Sequence, residues 1–176
     1  MGGNKKGDTK DIALGGILIA LTIITLYAKT VIPTAKLSLY ALSSFFVSII
    51  VIESGIGMGW TFYVATSCIS FFLIPDTIGL IPYFIFFGNY GIIKCYIERL
   101  DRLVIEYILK IIYFNLSMGL GYFLLNRFAN IESIPKNPMV LLIILGLQVV
   151  FIVYDYIYTL LIGYYRRRIK KLVEKR

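Results

Sequence analysis

Apolar residues along this chain fall into six long runs, and each run is separated from the next by glycine, proline or charged residues. The longer runs reach the roughly 20 residues that a helix needs to cross the hydrocarbon core of a bilayer. Glycine, proline and charge at the breaks are typical of the ends of buried helices. The pattern therefore predicts six transmembrane helices, which cover Ile12–Ile32, Leu37–Glu53, Met58–Ile74, Ile78–Lys94, Leu103–Leu125 and Met139–Tyr165.

The composition agrees with this pattern. Of the 176 residues, 59% are hydrophobic and 16% are charged, and the mean hydropathy is +0.81. A soluble domain is about 45–50% apolar and about 25% charged, so much of this apolar surface must face something other than water. We therefore predict an all-α, polytopic membrane protein, a bundle of six transmembrane helices. We expect one integral membrane domain over residues 1–176, with basic tails at 1–11 and 166–176.

The basic residues are distributed unevenly between the two sides of this predicted bundle. Thirteen of the 18 lie in the amino-terminal tail, the segment 94–102 and the carboxy-terminal tail, which six helices place on one side. Four lie at the opposite side, namely Lys29, Lys36, Arg127 and Lys136, and Lys110 lies within predicted helix 5. Loops rich in Lys and Arg face the cytoplasm, so both termini are predicted to be cytoplasmic in a multi-pass protein of the cell membrane. The net charge of +8 is therefore interpreted as an orientation signal with affinity for membrane lipid, not as nucleic-acid binding.

Residues that could carry catalysis are scarce. The chain has no histidine, which removes the commonest general base and metal ligand. Cys68 and Cys95 fall near opposite ends of adjacent predicted helices, which argues against a disulfide and against a zinc site. Neither a phosphate-binding loop nor a nucleophile-elbow motif is present. The sequence thus gives no indication of an enzyme, and we expect neither a cofactor nor a metal.

Charged side chains occur within predicted helices 5 and 6. Glu106 and Lys110 are four residues apart and can pair along one helix face, and Asp155 lies at a similar depth in helix 6. A charge at that depth costs several kcal/mol unless it is paired. The three residues therefore indicate either an ionic cluster that holds helix 5 against helix 6, or a relay for protons or ions.

Polar and aromatic side chains also collect in the outer halves of the predicted helices. They are Tyr40, Ser43, Ser44, Ser67, Ser70, Asp76, Tyr83, Tyr122 and Asn126. Single hydroxyls can bond back to their own helix, and tyrosines can anchor a helix at the interface. Converging from several helices, the same side chains would instead line an outward-facing cavity for a small polar molecule.

Helix 1 carries small residues at helical spacing. Ala13, Gly16 and Ala20 share one face, because steps of three and four residues return to the same side of a helix. Small side chains let two helices approach closely, which gains packing that lipid does not supply. The face can serve internal packing or an external partner, and the spacing alone leaves both open.

The layout resembles the S component, the substrate-binding subunit, of energy-coupling factor (ECF) transporters. The resemblance is clearest in "DIALGGILIALTIITLYAKTVIPTAKLSLYALSSFFVSIIVIESGIGMGW" and through "FFLIPD". Such subunits have six short spans, an Ala/Gly-patterned helix 1 and a proline-containing first outer loop. The chain departs from the family in having Gly16 where alanine is usual, and it carries no vitamin-specific signature.

The resemblance implies a function. The chain would capture a small-molecule micronutrient from outside, and its helix 1 face, here Ala13, Gly16 and Ala20, would dock on a transmembrane coupling subunit driven by two cytoplasmic ATPases. The loop from Lys29 to Lys36, shaped by Pro33, would act as a gate. The candidate substrate contacts are Lys36, Tyr40, Ser44, Tyr83, Tyr122 and Asn126. The alternative from another class is a small scaffolding protein, for example of a cell-shape complex, with the same six spans and no sealed polar cavity.

Overall fold

A computed structural model describes the backbone of residues 5–129 and 139–170, and the side chains of residues 9–128 and 142–167. All regular elements in these ranges are helical. The main helices are α1 (Lys5–Val31), α2 (Lys36–Leu73), α3 (Gly88–Ile97), α4 (Leu103–Ala129) and α5 (Met139–Tyr164). Short 3-10 turns at Pro33–Ala35, Ile78–Leu80 and Glu98–Leu100, and π-helical turns at Tyr83–Phe87 and Tyr165–Lys170, complete the described elements.

Among the described residues, five helical segments are long and apolar enough to cross a membrane. They cover Thr9–Val31, Pro33–Leu73, Ile78–Leu100, Leu103–Phe128 and Leu142–Arg167. Large apolar side chains lie on their outer surfaces, such as Leu116 and Phe123 on α4, which are 68% and 65% exposed. Soluble proteins rarely leave so much contiguous apolar surface in water. The all-helical class and the transmembrane helices predicted from the sequence are therefore supported.

The second of these segments bends sharply at Gly55. Gly55 has φ +86° and ψ 174°, a backbone conformation that only glycine adopts without strain. Beyond the bend the chain folds back, since a Cβ atom on Gly59 would lie 2.5 Å from the side chain of Val51. The sequence predicted two separate helices, Leu37–Glu53 and Met58–Ile74, where the structure has one helical segment with a hairpin bend inside it.

Contacts at the far ends of α2 confirm the direction of the bend. Tyr40, in the first turns of α2, donates a hydrogen bond to the carbonyl of Gly79, which follows the end of α2. Lys29, in the last turn of α1, forms an ion pair with Asp76. Both ends of α2 therefore lie at the same end of the molecule, opposite Gly55, and we call this the Asp76 end.

The segment from Ile78 to Leu100 is the most buried of the five. Pro82 precedes its π-helical turn, where the N–H that proline lacks is tolerated. Leu80, Tyr83, Tyr90 and Ile92 are fully buried along it. Helices α2, α4 and α5 contact this segment, and α1 packs on α2. The segment therefore contributes much of the core.

An aromatic cluster joins this central segment to α4 and α5. The rings of Phe114 on α4 and Phe151 on α5 stack with centroids 4.5 Å apart. Phe86 meets both rings edge-on, at 5.6 Å and 6.0 Å. Such offset and edge-on pairs are each worth about 0.5–1.5 kcal/mol beyond their buried area. The cluster fixes the positions of α4 and α5, whose charged side chains meet next to it.

Candidate functional site

Four charged side chains from the central segment, α4 and α5 meet inside the bundle. Lys94 forms ion pairs with Asp155 and, at 2.9 Å, with Glu98. Lys110 Nζ lies 3.0 Å from Glu98 Oε1 and 3.1 Å from Asp155 Oδ2. Each lysine thus bridges the same two carboxylates. We call these four residues the buried charge cluster.

The cluster is neutral as a whole, which lowers the free-energy cost of burying its charges. Two ammonium groups face two carboxylates, and neutral donors and acceptors satisfy further atoms. Tyr90 donates to Asp155 Oδ1 at 2.5 Å, and Lys94 donates to Thr159 Oγ1 at 2.8 Å. A buried charge without such partners costs several kcal/mol. The cluster therefore holds the central segment, α4 and α5 together.

The sequence predicted part of this cluster. The pairing of Lys110 with Asp155 is confirmed. The expected participation of Glu106 is wrong, because Glu98 is the second acidic partner of Lys110. Lys94 was assigned to a cytoplasmic loop at the end of helix 4, whereas it lies within α3 and is 1% exposed. The signal that could have found it is the i,i+4 spacing of Lys94 and Glu98, which places both on one helix face.

A polar cavity of about 480 Å³ adjoins the cluster. It lies at the end of the bundle that contains the Gly55 bend, which we call the Gly55 end. Lys94 and Glu98 form part of its wall, so the cluster is accessible from it. The lining residues are Ser48, Val51, Ile52, Gly55, Ile56, Gly91, Lys94, Cys95, Glu98, Arg99, Ile162 and Arg166.

Polar contacts between α2 and α5 lie next to this cavity. Tyr158 donates to the carbonyl of Ser44 at 2.8 Å, and its hydroxyl lies 2.6 Å from Ser48 Oγ. A Cβ atom on Gly91 would lie 2.5 Å from Ser48 Oγ and 2.6 Å from the Tyr158 hydroxyl. Glycine at position 91 is therefore required for α3 to approach these two hydroxyls. Ser44, a predicted substrate contact, also bonds here, at 3.2 Å to Tyr158.

The structure does not bring the six predicted substrate contacts into one cavity. Tyr40 bonds to the Gly79 carbonyl, and the fully buried Tyr83 lies 2.8 Å from Thr66 Oγ1. These hydroxyls, with that of Ser44, already have partners within the protein. The other three predicted contacts are exposed, and they are Lys36, Tyr122 and Asn126. Their role in binding stays a prediction.

Tyr122 does line a second cavity, of about 440 Å³, between α4, α5 and the start of the central segment. Its lining is almost entirely apolar and aromatic. The residues are Leu37, Ile81, Pro82, Ile85, Phe86, Phe87, Phe114, Ser117, Met118, Gly121, Tyr122, Leu125, Leu147, Val150, Phe151 and Tyr154. A cavity with such a lining would bind an apolar ligand better than a strongly polar ligand.

Lys29 has a structural role at the Asp76 end. It lies in the last turn of α1 with its side chain 1% exposed, 3.3 Å from Asp76 and 5.3 Å from the ring centroid of Tyr40. The backbone N–H of Gly79 donates to Asp76 Oδ1 at 2.9 Å. Although burial acts in the opposite direction, this N–H and the Lys29 charge hold the pKa of Asp76 below its usual value of 3.8. The predicted gate is the loop from Lys29 to Lys36. In the structure Lys29 belongs to α1, and the turn Pro33–Ala35, with Pro33 and Thr34 exposed, joins α1 to α2.

The small-residue face of α1 points away from the rest of the described chain. Ala13, Gly16 and Ala20 are all exposed, and a Cβ atom on Gly16 would meet no described heavy atom within 4 Å. The opposite face packs on α2, where a Cβ on Gly15 would contact Met58 and Ile50 at 3.8 Å and 3.9 Å. Internal packing of α1 therefore uses Gly15 and leaves the Gly16 face open.

These features define an all-helical protein with helices suited to a membrane. No protein-family model matches the sequence, and searches of curated proteins and of solved structures found no match. The function proposed below therefore rests on the residues of this chain.

Proposed function

We propose that the chain is a multi-pass protein of the cell membrane with six crossings and with both termini in the cytoplasm. The hairpin bend at Gly55 supports six crossings, because each half of the 38-residue α2 approaches the length needed for the roughly 30 Å hydrocarbon core. An even number of crossings places both termini on one side. The excess of basic residues in the tails and in segment 94–102 favours the cytoplasm for that side.

The proposed role is that of the substrate-capturing subunit of an ECF-type transporter for a micronutrient. The observation that carries this proposal is the open face of α1. Ala13, Gly16 and Ala20 have the spacing of a close-packing helix interface, and this chain leaves that face exposed. The partner that fits is a transmembrane coupling subunit, which cytoplasmic ATPases would drive.

In this proposal the substrate enters at the Asp76 end, which the orientation above places outside. The turn Pro33–Ala35 would gate the site, and Lys36, exposed at the start of α2, would make a charge-assisted contact. Binding a polar molecule there requires the hydroxyls of Tyr40 and Tyr83 to exchange their present partners for the ligand. Tyr122 and Asn126 on α4 would contact the ligand from the opposite side.

The test is uptake by the double variant Gly16→Leu with Ala20→Leu, in cells that supply the other ECF subunits. The matched control is Gly119→Leu on α4, where an added side chain also meets no described atom within 4 Å. We expect the double variant to purify as a stable monomer with its co-purified small molecule, identified by mass spectrometry, and to lose uptake. The control should keep all three properties. Normal uptake by the double variant would exclude the α1 face as the docking surface.

A scaffolding subunit, for example of a cell-shape complex, is the second candidate. The observation that favours it is the internal bonding of Tyr40, Ser44 and Tyr83, which leaves no preformed polar pocket among these residues. A scaffold would still use the open α1 face, but it would carry no small molecule. Purification without a bound micronutrient, together with a stable membrane-protein partner that is lost in the Gly16→Leu variant, would favour the scaffold.

A further inference from the structure

The polar cavity at the Gly55 end holds an excess of positive charge. Its lining includes Lys94, Arg99 and Arg166, against the single carboxylate of Glu98. Another acid, Glu53, accepts a hydrogen bond from Tyr165 at 3.2 Å and does not line the cavity. Even if Glu53 is counted, the cations outnumber the carboxylates. The cavity therefore attracts anions.

The two arginines at this cavity are available to a ligand. Within the part of the chain whose side chains are described, neither Arg99 nor Arg166 forms an ion pair, and both are exposed. Arg99 lies 6.0 Å from the ring centroid of Tyr96, a contact that leaves its N–H groups free to bind an anion. Each guanidinium presents a planar set of N–H donors that matches two oxygens of one oxyanion.

The buried charge cluster explains why its carboxylates do not neutralise Arg99 and Arg166. Glu98 and Asp155 are fully used by Lys94 and Lys110, which makes the cluster neutral without the arginines. Glu98 is also the accessible member, with 37% of its side chain exposed. An incoming anion would therefore meet the guanidinium groups of Arg99 and Arg166 beside the exposed carboxylate of Glu98. Lys94 and Lys110 already balance the charges of Glu98 and Asp155, so the two arginines supply the net positive charge of the cavity.

We propose that this cavity binds a phosphate group. The volume of about 480 Å³ accommodates a phosphate with part of the molecule that carries it. Gly55 and Gly91, both in the lining, add no side chains that would occupy this space. The group would come from an anionic phospholipid headgroup or from a small soluble phosphate compound. The site lies at the opposite end from the proposed substrate entry, so it does not depend on the transport proposal.

The test measures the thermal unfolding of the full chain in nanodiscs, monitored by the fluorescence of Trp60. Inorganic phosphate is titrated at constant ionic strength in phosphatidylcholine discs, whose headgroup charge is neutralised by choline. The site variant is Arg99→Gln with Arg166→Gln. The matched control is Arg102→Gln with Arg127→Gln, which removes the same charge from exposed positions outside the cavity.

We expect phosphate to raise the unfolding temperature of the wild type and of the control. The site variant should need at least about tenfold more phosphate for the same rise. An equal response of site variant and control would overturn the proposal, as would a wild type that responds neither to phosphate nor to anionic lipid. If the double variant does not fold, the single variants Arg99→Gln and Arg166→Gln are compared in the same way, each with a partial loss expected.

A second arm distinguishes the two sources of the phosphate. Discs that also contain phosphatidylglycerol are compared with discs of phosphatidylcholine alone. If the group belongs to a lipid, phosphatidylglycerol raises the unfolding temperature of the wild type, and added phosphate has little further effect. If it belongs to a soluble compound, the response to phosphate is the same in both discs. In either case the rise in unfolding temperature, whether phosphatidylglycerol or phosphate causes it, must be lost in the site variant.

Discussion

Lys110 and Asp155 lie 45 positions apart in the sequence, and their charged atoms are 3.1 Å apart inside the helix bundle. Both side chains are 7% exposed, so the pair has little access to water. Asp155 also pairs with Lys94, which makes it the one carboxylate that links α5 to both lysines. Much of the stability of this part of the bundle should depend on it.

The first prediction therefore concerns Asp155→Asn. The substitution keeps the shape of the side chain but leaves Lys94 and Lys110 with Glu98 as their remaining carboxylate. Removing one partner of a buried ion pair typically costs about 3–5 kcal/mol, and we expect a loss of that order in unfolding by denaturant in detergent. Asp101→Asn is the control, because Asp101 is exposed at the same end of the bundle and should tolerate the change. Equal stabilities of the two variants would contradict the proposed importance of the cluster.

The second prediction concerns the bend in α2. Gly55→Ala places a side chain at φ +86°, ψ 174°, and such strain costs on the order of 1–3 kcal/mol. The control is Gly57→Ala, where the backbone is helical and a Cβ meets no described atom within 4 Å. Since alanine favours helix more than glycine, this control should unfold no more easily than the wild type. Thermal unfolding of both variants in the same detergent checks the difference.

The third prediction concerns pH and the ion pair of Lys29 with Asp76. Because the folded protein holds the pKa of Asp76 below its usual value of 3.8, the stabilisation is complete above that value. It is lost as the pH falls through the lowered pKa. Wild type should therefore lose more stability than Asp76→Asn between neutral pH and about pH 3. Parallel pH profiles of the two proteins would show that the pair contributes nothing.

The fourth prediction concerns topology. Cysteines at positions 3 and 135, in a background without Cys68 and Cys95, should differ in their access to an impermeant thiol reagent. Both positions lie outside the described residues. We expect position 135 to be labelled from outside intact cells and position 3 to react after lysis. The reverse pattern would invert the proposed orientation.

The sequence predicted the all-helical class and the presence of transmembrane helices, because a chain that crosses lipid needs long apolar runs and must satisfy its backbone hydrogen bonds within each helix. It also predicted that Lys110 pairs with Glu106 or Asp155, since an intramembrane charge requires a partner, and the pairing with Asp155 is confirmed. It did not predict that Lys94 is buried. Lys94 stands close to Arg99 and Arg102, and a group of basic residues after an apolar run is typical of a cytoplasmic loop.

The candidate substrate site shows a second limit of sequence reasoning. Tyr40, a predicted substrate contact, donates to the carbonyl of Gly79, at the start of the segment Ile78–Leu100. Every residue carries a backbone carbonyl, so no sequence pattern identifies such an acceptor in advance. The sequence alone therefore does not distinguish a hydroxyl that is available to a ligand from a hydroxyl that already bonds to the backbone.

The charge cluster also has a consequence for the biogenesis of the protein. Helices enter the membrane in the order of synthesis, so Lys94 and Lys110 arrive before Asp155, and until then Glu98 is the one acidic residue of the cluster present. Within the cluster, the early intermediate therefore has two lysines and one carboxylate, and the arrival of Asp155 on α5 supplies the second carboxylate. Insertion of the last described helix is thus the step that completes the charge balance of the cluster.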